Sequence, residues 1–248
     1  MANAFNYMFK DNKYWQKALV LASIVFLSEL NSNTANMYKG CCMAPSKEYY
    51  ILNILSTLIK MFALGYSFTC IKALYEQKDN YVLPFINLKN NFILGIKNYI
   101  AILFISAIGY VLMFTGYFIE TPFFMPYIYI AISSILMLIY MTFYMMSCSW
   151  IFAKTGSVTS YLRLKQATQL IMTNKSTYWK AIAMFVLLVI ITGIPEVAIS
   201  RLCMSFVDSK IVYNLIDSSV AAIISAYPAF VMFFIVAKAI NPDTAENI

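Results

Sequence analysis

Histidine is absent from the 248 residues. Without it there are no His-based catalytic triads, none of the usual zinc sets, and no side chain that titrates unperturbed near neutral pH. Charge is scarce as well: Asp, Glu, Lys and Arg make up 12% of the chain, about half the ~25% of a globular domain. No GxxxxGK[ST] or GxGxxG phosphate loop occurs. No stretch between the apolar runs is long enough to bury a core of its own, which excludes a soluble catalytic or nucleotide-binding domain. Cysteine is sparse too. Cys41, Cys42 and Cys203 fall in short loops, where a bridge from Cys203 to one of the vicinal pair and unpaired thiols are both open. Cys70 and Cys148 lie near the ends of apolar runs.

What remains is apolar: 61% of the residues are hydrophobic and the mean hydropathy is +0.71. The stretch 98–153 carries a single formal charge, Glu120, beside Pro122 and Pro126. The apolar runs on either side match the ~20 residues that a helix needs to cross ~30 Å of hydrocarbon. Two such helices with no polar face have no place in a water-soluble fold. The same reading along the chain predicts an all-α, polytopic transmembrane bundle of six spans: 15–37, 49–72, 99–119, 127–151, 179–200 and 217–239. The apolar run Ala18–Ser28 behind a lysine-bearing start also fits a signal peptide; no convincing small-x-small cleavage site follows, and the repeat described below favours a retained helix. The prolines in Gly193-Ile194-Pro195-Glu196 and at Pro228 predict kinks in the last two spans.

Two polar connectors separate the spans. Phe85, Leu88, Phe92, Ile96 and Tyr99 recur at helical spacing, with Asn87, Asn90, Asn91 and Lys97 largely opposite. Leu83-Pro84 reads as the helix start. The second connector places Tyr161, Leu164, Thr168 and Ile171 in one stripe, with Arg163, Lys165, Gln166 and Gln169 facing away. Both predict amphipathic helices lying in the membrane interface. The order of lead-in, aromatic-and-lysine doorway, outward span, loop and returning span occurs three times within one membrane domain, 1–248. It divides the chain into hairpin units of roughly 1–72, 73–154 and 155–240.

Positive residues set the orientation. Thirteen Lys and Arg flank the N-terminus, the two connectors and the tail, against four on the opposite loops. Both termini are therefore expected in the cytoplasm, the protein being a multi-pass one of the cell membrane. Trp15, Lys17, Lys97, Tyr99, Trp150, Trp179 and Lys180 all fall at that inner boundary, as interfacial anchors would. This basic face points to anionic headgroups as partners, and possibly to other membrane proteins. Nucleic acid does not fit charge dispersed along interfacial segments. No cofactor or metal is implied.

Charges inside spans are costly and therefore functional suspects. Glu29 lies 14 residues past Trp15 and Lys60 lies 12 before Lys72, depths of about 21 Å and 18 Å at 1.5 Å per residue. On adjacent antiparallel spans at nearly equal depth, the two should meet. Asn33 and Asn36 continue the face of Glu29, and Asn53 and Ser56 that of Lys60; Thr192 and Glu196 mark the fifth span. These residues form a candidate intramembrane polar seam, either a pair holding the first hairpin in register or part of a transport path. The first alternative implies a non-enzymatic membrane protein acting through helix or lipid contacts. The second implies a small transporter or permease subunit. Intramembrane catalysis would have only Cys or carboxylate chemistry available, and no cysteine has an evident base.

Several phrases carry a resemblance: Phe5-Asn6-Tyr7-Met8-Phe9-Lys10-Asp11-Asn12-Lys13-Tyr14-Trp15, then Gly65-Tyr66, then Leu83-Pro84-Phe85, Phe92, Gly95 and Lys97. Over residues 5–120 the chain resembles an uncharacterised family of bacterial and archaeal multi-pass membrane proteins, a domain of unknown function. That family shows an aromatic-Lys-Asp-x-x-Trp lead-in and a Leu-Pro-x-Phe connector ending in Gly-x-Lys. It has more acids around the connector, where this chain has Asn87, Asn90 and Asn91. The resemblance implies an integral membrane protein and brings no activity or catalytic residue.

Overall fold

The computed structural model describes residues 9, 11, 13–37, 46–76, 83–115, 125–206 and 209–240. Among them there are helices and no strands: α1 (Tyr14–Met37), α2 (Lys47–Glu76), α3 (Leu88–Thr115), α4 (Met125–Ile139), a π-helical turn (Tyr140–Tyr144), α5 (Met145–Thr155), a 3-10 turn (Val158–Leu162), α6 (Leu164–Thr173), α7 (Lys175–Phe206) and α8 (Lys210–Lys238). Five of these helices, α1, α2, α3, α7 and α8, are long and apolar enough to cross a membrane. The expected fourth span, 127–151, lies within one uninterrupted helical run, 125–155, in which a π turn joins α4 to α5. That turn divides the run into an exposed α4 and an α5 in which Met146, Ser147, Cys148, Trp150, Ile151, Phe152 and Ala153 are all buried.

That division has a visible cause in hydrogen bonding. A π turn loosens the i→i−4 ladder and leaves carbonyls in need of donors. Two tyrosines from the following segment meet this stretch: Tyr178 donates its hydroxyl to the Phe143 carbonyl, and Tyr161 accepts the Tyr140 hydroxyl at its carbonyl at 2.8 Å. Tyr178 Oη also accepts from Ser147 N (3.2 Å) and Oγ (2.9 Å). The turn is thereby fixed by Tyr161 and Tyr178, both beyond the end of α5.

The first connector corrects the expectation of a separate interfacial helix. Residues 83–87 are not helical, and α3 then runs unbroken through Asn98. Asn87 starts it, accepting Asn90 N at its side chain (3.1 Å) and Asn91 N at its carbonyl (2.9 Å), which is N-cap chemistry. The buried face of the opening turns is Asn91, Gly95, Asn98 and Ala101, not the expected Phe85–Tyr99 stripe. In the second connector the buried positions are Tyr161, Ala167, Leu170, Asn174 and Tyr178. Leu164 of the expected stripe is exposed.

Glycine decides how closely α2 and α3 pack. A Cβ at Gly65 would lie 1.6 Å from the Asn91 carbonyl oxygen, and one at Gly95 would lie 1.7 Å from that of Met61. The two backbones touch where each helix offers no side chain, the close approach that small residues permit between membrane helices. α2 packs as extensively on α3 as on α1, so the strongest contacts also cross the boundary at 72–73 between the first two hairpin units. α8 lies against α1, α7 and α2.

The core is concentrated at one end. Its members include Tyr14, Tyr66, Phe68, Ile71, Leu74, Leu83, Trp150, Phe152, Tyr161, Leu170, Tyr178, Phe230, Val231 and Phe233–Val236. This is also the end bearing Lys17, Lys72, Lys97 and Lys154, called the basic end below. Toward the opposite end, α3, α4 and α7 expose Leu103, Phe104, Ile132, Ile135, Val189 and Ile194. Apolar side chains facing outward along long helices are what hydrocarbon, rather than water, accommodates.

Candidate functional site

The seam residues occupy three different faces. Lys60 Nζ on α2 lies 3.5 Å from Glu29 Oε1 on α1. The neighbouring turn explains the approach: Ser28 and Ser56 are both buried between the helices, and Ser56 Oγ donates to the Ser28 carbonyl at 3.0 Å. The ion pair sits on the outward flank of that contact, its side chains 34% (Glu29) and 50% (Lys60) exposed. Asn33 instead turns to α8, donating to Asp217 Oδ2 at 3.0 Å and Ser218 Oγ at 3.2 Å. Asn53 donates back to its own helix at the Tyr49 carbonyl, and Thr192 does the same at Leu188 on α7, a helix packed on α8 and α6. The side chains of Asn36, Glu196, Ser200 and Cys203 lie outside the described residues, as do Cys41, Cys42 and Glu120. The described seam residues therefore form one ion pair, a separate α1–α8 contact through Asn33, and bonds within their own helices.

A second cluster occupies the basic end. Lys17 is buried, not an exposed doorway lysine: its Nζ is 2.6 Å from Asp11 Oδ2 and also donates to the Leu83 carbonyl. The same Asp11 oxygen accepts Leu83 N at 3.1 Å, while Oδ1 accepts Lys13 N at 2.9 Å. Pro84 contributes its carbonyl to Tyr66 Oη at 3.3 Å. The connector's free backbone groups are thus satisfied by a salt-bridged pair from the N-terminal turn, with Lys13 and Lys17 each 4.9 Å from the centre of the Phe85 ring. Burial alone would push the Asp11 carboxyl up. The hydrogen bonds from Lys17, Lys13 and Leu83, with the charge of Lys17, outweigh it and hold the group below its ordinary 3.8.

The expected aromatic belt also divides. Trp15 is 75% exposed and Trp179 is half-exposed, but Trp150 is only 4% exposed. Trp150 packs edge-on against Tyr75, ring centres 4.9 Å apart, under the Lys154 ammonium. It is a core residue: burial on all sides of α5 left it no route to the interface. Lys97 and Lys180 are exposed and Tyr99 is half-buried.

Sequence reading missed the polar groups that lock α3. Asn91, expected to face away, is fully buried and accepts Thr69 Oγ1 at 2.9 Å; Asn98 accepts Tyr161 Oη at 2.6 Å. Their seven-residue spacing, with Gly95 between, was the available signal. Among the described residues, no group of three or more Cys, Asp or Glu converges where a metal could sit.

The two phrases that carried the resemblance, Asp11 before Trp15 and Leu83-Pro84, are thus in contact, and Gly65 and Gly95 form the tightest helix crossing. Comparison with known proteins agrees in part. A sequence profile for proteins of unknown function, DUF4013, matches residues 49–201, from the start of α2 to near the end of α7. The match extends past the expected limit at residue 120 and does not include the lead-in at 5–15. No curated protein and no solved structure matches the chain. With more than half its length covered by that profile, from Tyr49 to Arg201, the chain belongs to the DUF4013 family.

Proposed function

We propose that this is a non-enzymatic, multi-pass protein of the cell membrane that presents the α1–α2 flank to a helix of another membrane protein. Its basic end would lie among anionic headgroups on the cytoplasmic side. The observation that carries the reading is the Glu29–Lys60 pair. It is partly exposed on a flank partway along two helices long and apolar enough to cross a membrane. Two charges there are costly against hydrocarbon and much less so against a polar partner helix. The neighbouring Ser28–Ser56 contact keeps the pair aimed outward.

The test is a photoreactive residue in place of Thr57, which lies one turn from Lys60, compared with one in place of Ile190 on the exposed face of α7. A protein adduct at 57 that is lost in Glu29→Gln/Lys60→Gln, with none at 190, is the expected result. Adducts at both positions that ignore the charge change would contradict it. Solute flux in proteoliposomes abolished by Glu29→Gln would replace this reading with a transporter or permease subunit. The dispersal of Asn33, Asn53 and Thr192 onto other contacts leaves that alternative without a continuous polar path among the described residues.

A further inference from the structure

The three helix ends at the basic end enclose a cavity of about 370 Å³ between α2, the first turns of α3 and the end of α5. Lys72, Lys97 and Lys154 all line it, together with Thr69, Asn90 and Thr155. No carboxylate is among the described lining residues. Glu76, 3.9 Å from Lys72 on the same helix, offsets part of the charge from outside the cavity. Phe68, Ile93 and Leu94 give the cavity an apolar part, each one turn along its helix from a lining lysine. Gly156, at φ +62°, ends α5 at the rim by a left-handed turn that a side chain would strain.

Three cations around one concavity draw an anion to it, although the Lys154 ammonium also lies over the Trp150 ring, 5.4 Å from its centre. Side-chain hydroxyls do not take the anion's place: Thr69 donates to Asn91 Oδ1, and Thr155 donates to the Ile151 carbonyl. Beside Thr69, the Nδ2 of fully buried Asn91 has no acceptor among the described residues. The described lining is thus rich in donors. A free inorganic anion would use the cationic part but not the apolar one. An anion attached to hydrocarbon uses both, and the helix ends put the cavity where headgroups meet acyl chains.

We propose that this cavity holds the phosphate of an anionic phospholipid. The lysines and the Asn90 amide take its oxygens, and the glycerol and first acyl carbons lie against Phe68, Ile93 and Leu94. This rests on the basic end lying at headgroup depth and is independent of the Glu29–Lys60 flank. The experiment is native mass spectrometry of the detergent-solubilised full chain. Phosphatidylglycerol, phosphatidylcholine and inorganic phosphate are titrated separately, and then phosphatidylglycerol in the presence of phosphate. Phosphatidylglycerol should bind with a defined stoichiometry and resist millimolar phosphate. At about fivefold per lysine, Lys72→Gln/Lys97→Gln/Lys154→Gln should weaken it on the order of a hundredfold. Lys47→Gln/Lys165→Gln/Lys175→Gln, the same charge change at exposed positions elsewhere, should leave it within a few fold. Equal weakening by both triple variants, equal binding of phosphatidylcholine, or displacement by phosphate alone would each overturn the proposal. If the cavity triple does not fold, Lys97→Gln alone must still weaken phosphatidylglycerol about fivefold. None of these outcomes alters the crosslink at 57, so the two readings fail separately.

Discussion

Replacing Gly95 by alanine should destabilise the protein, although alanine is ordinarily the better helix former. In an open helix position the exchange gains about 1 kcal/mol. At Gly95 the new methyl would stand 1.7 Å from the Met61 carbonyl oxygen and 2.5 Å from its carbon, where ordinary contact begins at 3.4 Å. The atoms it meets are backbone, so no side chain can swing aside. α2 and α3 must part by on the order of 1.5 Å, and a gap of even 1 Å forfeits a quarter to a half of each dispersion contact along the seam. Overpacking of this kind costs about 1–3 kcal/mol or more, which exceeds the propensity gain. Gly193 on α7 supplies the control, since a Cβ there meets nothing within 4 Å. Thermal unfolding in detergent, followed by dye fluorescence, should show Gly95→Ala lowered and Gly193→Ala unchanged or raised, at roughly 2–4 °C per kcal/mol for a chain of this size. A Gly95→Ala protein as stable as Gly193→Ala would show that the two helices do not cross at Gly65 and Gly95.

Other expectations follow from the basic end. Lys17→Met strands the buried Asp11 and should cost about 3–5 kcal/mol, while Asp11→Asn/Lys17→Met should recover part of that loss in a double-mutant cycle. Because the Asp11 pKa is lowered by folding, its carboxylate form is favoured in the folded state. Its contribution is complete above the ordinary 3.8 and is lost as pH falls below it; thermal midpoints from pH 6 to pH 3 should fall less in Asp11→Asn than in the parent. Trp150→Ala should cost about 3–5 kcal/mol through loss of a buried ring, against about 0.5 kcal/mol or less for the exposed Trp15→Ala, both by the same unfolding assay.

Apolar length was the part of this fold that could be read directly. Runs near twenty residues correspond to α1, α2, α3, α7 and α8, because burial in hydrocarbon demands apolarity all round the helix and length is a one-dimensional property. The division of 127–151 was hidden because the cause lies in Tyr178, whose hydroxyl reaches Phe143 only through the fold. Periodicity also misplaced the inward face of both connectors. A helix buried by glycine and asparagine, as at Asn91, Gly95 and Asn98, inverts the rule that polar residues face out. Depth counting placed Glu29 and Lys60 at one level, and the two helices put them 3.5 Å apart. It could not place Asn33 or Thr192, because level along a helix says nothing about direction around it. Lys17 and Trp150 resembled boundary residues by type and position, yet each has a partner far away in sequence: Leu83 for one and Tyr75 for the other.

In the proposed topology the chain threads a membrane repeatedly, with its basic end in the cytoplasm. In a background with Cys41, Cys42 and Cys203 replaced by serine, single cysteines at Lys47, ahead of most of α2, and at Lys165, on α6, test it with a membrane-impermeant maleimide. Intact cells should label position 47 only, and permeabilised cells both. Labelling of 165 from outside, or of both positions in intact cells, would contradict it.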